Sequence, residues 1–163
     1  MPGATAAAVT AAVINCWAAA AHRYDLPVDL LYAIGQVESS HNPLAIAHAN
    51  NGTRSVGVMQ INSSWFPQLE ARGIREADLA KPCVNIQVGA WILRQEVERY
   101  GYSWEAIGAY YAGPYNEKNR HWKMPHYKEY AGKVFARWRK LHAKRQAKAA
   151  QAAPAASQVA SNP

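Results

Sequence analysis

Apolar positions recur at helical spacing along most of this chain, and at one place the recurrence ends on an acid. From Val28 to about Ser40, Leu30, Leu31, Ile34 and Val37 mark one stripe, and Glu38 falls on the same inward side. Pro27 suits the first turn of that helix and Asp29 its positive dipole end, while Asn42-Pro43 stops it. An Ala-rich helix over 6–24 is predicted before it. Two further helices are predicted, over 85–100 (Ile86, Val88, Trp91, Ile92, Gln95, ended by Tyr100-Gly101) and from the N-cap Ser103 to Ala112-Gly113-Pro114. A last helix is expected from near Pro125 past Trp138. Between His41 and Phe66 the period changes: Asn50-Asn51-Gly52-Thr53 is a tight-turn signal, and Val56 to Asn62 suits a short hairpin.

The pattern predicts a mainly α fold of the α+β kind, with a small β-hairpin lobe inserted after the Glu38 helix. A chain of 163 residues is the size of one domain, placed at 6–141. The Ala/Lys/Gln-rich remainder, 142–163, is expected to be a frayed helix and then disordered. No apolar run reaches the roughly 18 residues that a membrane span needs. The Ala-rich start lacks a basic n-region, since the first basic residue is Arg23, so a signal peptide is expected to have been removed or to be lacking.

The formal charge is +7. Arg137, Arg139, Lys140 and Lys144 cluster on the last helix, as a solvated helix end or as an attraction for a polyanion (nucleic acid, anionic lipid or an acidic wall polymer). Cys16 and Cys83 have no CxxC spacing for zinc; they are two buried thiols or one bridge.

An acid on an apolar stripe needs an explanation, because charged side chains are seldom buried without a partner. It tips outward or pairs with a base, or its carboxyl is half-buried with a raised pKa, as a general acid for glycosidic cleavage requires. Ordinary glycosidases use two carboxylates. None of the other acidic residues lies between His41 and Phe66; Glu70, Glu76 and Asp78 fall in a polar stretch, and Glu96 and Glu98 resemble surface partners of Arg94 and Arg99. Glu38-x-x-His41 has di-iron spacing but lacks a second such pair, so no metal is expected. Ser39 and Ser40 lack a nucleophile elbow, and no phosphate-binding loop occurs, so no cofactor is expected. Trp104, Tyr110, Tyr111, Tyr115, Trp122, Tyr127 and Tyr130 gather late, as core or as a sugar-binding groove.

Four motifs in order resemble the lytic transglycosylases of the lysozyme-like superfamily: Leu30-Leu31 through Glu38-Ser39-Ser40-His41-Asn42-Pro43; Asn51-Gly52-Thr53-Arg54-Ser55-Val56-Gly57-Val58-Met59-Gln60-Ile61-Asn62; Ala109-Tyr110-Tyr111-Ala112-Gly113; and Tyr130-Ala131-Gly132-Lys133-Val134. Pro82-Cys83-Val84-Asn85-Ile86-Gln87-Val88-Gly89-Ala90 is similar to the small branch associated with type III and type IV secretion and pilus systems. The resemblance covers roughly residues 13–138. It implies cleavage of peptidoglycan between N-acetylmuramic acid and N-acetylglucosamine, with formation of a 1,6-anhydro ring. One Glu, here Glu38, would act as acid and then base, so the lack of a second carboxylate is an expected feature. Ser40 and Tyr130 would position Glu38 or the sugar, and Met59, Gln60, Asn62, Tyr110 and Tyr111 would belong to the groove. The family usually has Asn where Tyr111 stands, and Leu where Val58 stands.

The resemblance also implies a Cys16–Cys83 bridge and a periplasmic location. The implied partners are peptidoglycan strands and components of a secretion or pilus machine, with no nucleic acid, no membrane span and a monomeric chain. The alternatives are a hydrolytic lysozyme on the same fold and a non-catalytic wall-binding factor.

Overall fold

The computed structural model of the protein describes residues 6–113 and 126–159. Its elements follow the periodicity closely: α1 (Ala6–Arg23), α2 (Val28–Ser39), β1 (Ile46–His48), β2 (Arg54–Val56), β3 (Ile61–Asn62), α3 (Phe66–Glu70), α4 (Pro82–Tyr100), α5 (Trp104–Ala112) and α6 (Tyr127–Val159). Short 3-10 turns precede α3 and α4. α4 begins at Pro82 rather than near 85, because proline's fixed φ suits the first helical turn, where no N–H is needed. The start expected near Pro125 lies outside the described residues.

α4 is the central helix. It packs on α1 and α5, and α6 closes the other side against α2 and α5. Ile86, Ala90, Ile92, Leu93 and Val97 are buried along it, in one core with Leu31, Ala33 and Ile34 of α2, and Ala106, Ile107 and Val134. Cys16 and Cys83 are bonded, with Cα atoms 5.2 Å apart, tying α1 to the first turn of α4. Closing a loop of this length stabilises by about 4 kcal/mol in the chain-entropy account.

The expected lobe is present with one strand more than a hairpin. β1 and β2 pair antiparallel, Ile46 opposite Val56 and His48 opposite Arg54, and β3 adds to β2 with Ile61 opposite Val56. The first turn closes through Asn51 Oδ1, which accepts from the Thr53 N–H at 3.1 Å. The second turn runs through Gly57 at φ 78 and Gln60 at φ 49. Gly57 is required twice, by that left-handed conformation and because a Cβ there would collide with the Asn85 amide.

α6 runs without interruption through Leu141 to Val159. Just past Leu141, Arg145 reaches Asp29 at 2.7 Å, and His142 lies 3.8 Å from the same carboxylate. α6 therefore stays joined to α2 beyond Leu141.

Candidate active site

Glu38 lies one residue before the end of α2, where Ser40 and His41 turn left-handed at φ 54 and 63. The helix cannot continue through that geometry, so its last inward-facing position is presented at an edge and not deep in the core. Glu38 is half-buried there. Burial raises its pKa from 4.5 to about 7, and the Tyr130 hydroxyl, donating to Oε1 at 2.5 Å, pulls it partly back down. Both effects are those expected for a carboxyl removed from water yet hydrogen-bonded in its charged form.

Two phenols flank the acid. Tyr130 comes from α6 and Tyr110 from α5, and both are buried. Burial first, and then the nearby Glu38 charge, push both pKa values well above the ordinary range for tyrosine, so both remain neutral donors. Tyr110 donates to the Met59 carbonyl at 2.8 Å, fixing the β-lobe turn beside the acid. Tyr111 is about half exposed and stacks on Tyr130, centroids 5.0 Å apart and planes 26° apart. The motifs carrying Glu38, Met59, Tyr110 and Tyr130 thus converge in space from four segments.

The remaining expected site residues are placed unequally. Met59 is wholly buried, with its side chain under Gly89, and its backbone carbonyl meets Tyr110 beside the acid. The Gln60 amide donates to the carbonyls of Ala45 at 3.1 Å and Gly57 at 2.9 Å, holding the turn. Asn62 is engaged within the lobe: its Oδ1 accepts from Ser64 N–H, and its Nδ2 donates to the hydroxyls of Thr53 and Ser55. Ser40 is exposed at the helix end. Its neighbour Ser39 makes the link to the lobe, with Oγ donating to the Val58 carbonyl at 2.8 Å. Tyr115 and Trp122 lie outside the described residues.

Sequence reasoning also missed Asn85. Fully buried on α4, it donates to the carbonyls of Val56 and Leu79, both at 3.0 Å, and accepts from the Met59 N–H at 2.8 Å. One side chain thereby holds both ends of the turn beside Glu38. The signal was available, because an Asn on an apolar helical stripe needs buried partners. Glu96 was expected at the surface and is instead buried at 1% exposure, because α4 is covered on more than one side.

Among the described residues no other acid contributes to the Glu38 shift. Asp25 and Glu98 meet Arg94, Asp29 meets Arg145, Glu76 meets Arg54, Asp78 meets Lys81 and Glu129 meets Lys133. Among the described residues no cluster of His, Cys, Asp and Glu could hold a metal ion, and His41 packs on Trp17 and Tyr32.

A half-buried carboxyl of raised pKa between two phenols, on a helical frame with a small β lobe, fits the lysozyme-like lytic transglycosylase class. Residues 15–131 match the model of the transglycosylase SLT domain, and the chain belongs to that family. Its enzyme class is therefore peptidoglycan lytic transglycosylase. Invasion protein IagB of Salmonella typhimurium is 41% identical over 136 residues, 82% of this chain and 81% of the relative. Protein IpgF of Shigella flexneri is 38% identical over 107 residues, 65% of this chain and 70% of the relative. The fold matches an inactive Glu-to-Gln mutant of lytic transglycosylase Slt from Pseudomonas aeruginosa at TM-score 0.62 and 23% identity; the match covers 79% of this chain and 24% of that one.

Proposed function

We propose that this protein cleaves the bond between N-acetylmuramic acid and N-acetylglucosamine in periplasmic peptidoglycan, leaving a 1,6-anhydro end. The observation that carries the reading is Glu38, with a pKa of about 7 and Tyr130 on one oxygen. A carboxyl with that pKa is protonated in a large fraction of molecules near neutral pH, and it is a competent base once ionised. It gives its proton to the glycosidic oxygen as that bond breaks. The substrate's N-acetyl oxygen holds C1 meanwhile. The resulting carboxylate then takes the proton of the 6-hydroxyl, whose oxygen closes on C1 as the bond from C1 to the N-acetyl oxygen breaks and the acetamido group is restored. Tyr130 orients Glu38 and steadies its ionised form between the two transfers.

Within this reading Tyr110 fixes the Met59–Gln60 turn that forms one wall of the groove. Tyr111 covers Tyr130 and offers its outer face to a sugar ring, where the family usually has an amide. Ser40 and Asn62 act through the loop and the lobe that carry them. The Cys16–Cys83 bridge suits an oxidising compartment. The similarity to an invasion protein supports a task of opening the wall locally for a secretion or pilus apparatus.

Mass spectrometry of muropeptides released from purified sacculi tests the reaction. An anhydro product, one water lighter than the hydrolytic one, is expected. A hydrated reducing end would assign a lysozyme, and no release at all would leave only wall binding.

A further inference from the structure

α6 carries more than its share of the protein's positive charge, and the charge is arranged. Arg137, Lys140, Lys144 and Lys148 follow one another by three, four and four residues. At about 100° per residue they fall within an arc of about 80° on one face. All four are exposed, and among the described residues no ion pair engages any of them. The helix's other cations differ. Arg145 is bonded to Asp29, Arg139 lies over the Phe135 ring, Lys128 lies over the Tyr127 ring and Lys133 pairs with Glu129. Arg139, which the sequence grouped with the cluster, thus faces elsewhere, and Lys148 takes its place in the stripe.

The stripe is aligned with the catalytic centre. Tyr130, which donates to Glu38, projects within the same arc of α6, two turns before Arg137. The four cations therefore form a track of about 16 Å leading away from the acid along the flank of the groove. Evenly spaced, unpaired cations on a rigid helix suit a polymer carrying repeated anionic groups. The outer part of the helix, with Ala147, Ala149, Ala150 and Ala152, offers no large apolar side chain to bury in a bilayer, which favours a water-exposed polymer over a lipid surface.

We propose that the stripe of Arg137, Lys140, Lys144 and Lys148 binds the free carboxylates of peptidoglycan's peptide stems beside the glycan strand held at Glu38. This rests on peptidoglycan being the substrate. The stripe would align the enzyme along a strand and favour stem-bearing glycan over stripped glycan.

The test is binding by the full chain carrying Glu38→Gln, so that cleavage does not erode the target, with and without Arg137→Glu, Lys140→Glu and Lys144→Glu together. The probes are purified sacculi, sacculi whose stem carboxylates have been amidated, glycan strands freed of stems, and phosphatidylglycerol vesicles. Charge reversal should weaken binding to intact sacculi about tenfold at low salt, a difference that shrinks as salt is raised. The unreversed protein should lose a similar factor on amidated sacculi, an arm that needs no substitution in the helix. Stem-free glycan should bind both proteins alike. Equal binding of both to intact sacculi would overturn the inference, as would a difference that survives amidation. Tighter binding to the vesicles than to sacculi would assign the stripe to lipid instead. No binding to sacculi or stem-free glycan by either protein would bring down the peptidoglycan reading itself.

Discussion

Two carboxyls in this protein are pushed to the same pKa of about 7, and only one of them sits where a substrate could use it. Glu38 is half-buried at the end of α2, and Glu96 is 1% exposed on the central helix α4. In both the largest cause is burial, which disfavours the charged form. The effect opposing it differs: a phenol hydrogen bond at Glu38, and at Glu96 the Arg99 guanidinium 4.0 Å away. A perturbed carboxyl is therefore not by itself a catalytic signature. Access makes the difference, and the helix end at Ser40 provides it.

The sharpest break of this comparison is a pair of isosteric changes. Glu38→Gln should lower peptidoglycan turnover by about a thousandfold or more, since an amide can neither give nor retake the proton. Glu96→Gln should leave turnover unchanged. Turbidity loss of purified sacculi measures both, and equal losses in the two variants would show that α4 and not the groove carries the chemistry.

The framework can be weakened without touching either acid. Replacing Cys16 and Cys83 by Ala should lower unfolding stability by about 4 kcal/mol in urea titration. The pH–rate profile should keep its alkaline limb near 7. A limb that moves with the bridge would mean that the groove depends on the anchoring of α1.

Tyr130→Phe probes the partner. The hydrogen bond lowers the Glu38 pKa, so its loss raises that pKa above about 7 and moves the alkaline limb of kcat/KM to higher pH. Turnover itself should fall roughly tenfold, as the ionised intermediate state loses a donor. An alkaline limb that moves downward would contradict the geometry.

The smallest effect is thermodynamic. The folded-state pKa of Glu96 lies above its unfolded value of 4.5, so between about pH 4.5 and 7 the folded state holds a proton that the unfolded state has lost. Stability is fully present below that window and falls as pH rises through it, by at most about 1.4 kcal/mol per pH unit. Glu96→Gln should flatten that slope in chemical denaturation from pH 5 to 8. A slope unchanged in the variant would remove Glu96 from the account.

Much of this was legible from one strand of text. The apolar stripe through Leu31 and Ile34 placed Glu38 on the inward side, and Asn50-Asn51-Gly52-Thr53 announced the turn between β1 and β2. Other placements are not recorded by local spacing, for a common reason. Met59 and Asn62 belong to motifs beside the acid, yet one points into the core and the other holds the lobe, a choice made by the left-handed turn at Gly57 and Gln60. Ser39 rather than Ser40 reaches Val58, because the helix leaves its regular path between them.

Local spacing determined the long helices and the acid on an apolar stripe, since those depend on neighbours three or four residues away. Only the tertiary structure decided what that acid became. Tyr130 lies 92 residues further along the chain, and no local pattern records that its hydroxyl meets Glu38. The same holds for Glu96, whose helix is covered on several sides by segments distant in sequence. Desolvation depends on every atom that excludes water, so the pKa of a carboxyl is a property of the assembled core.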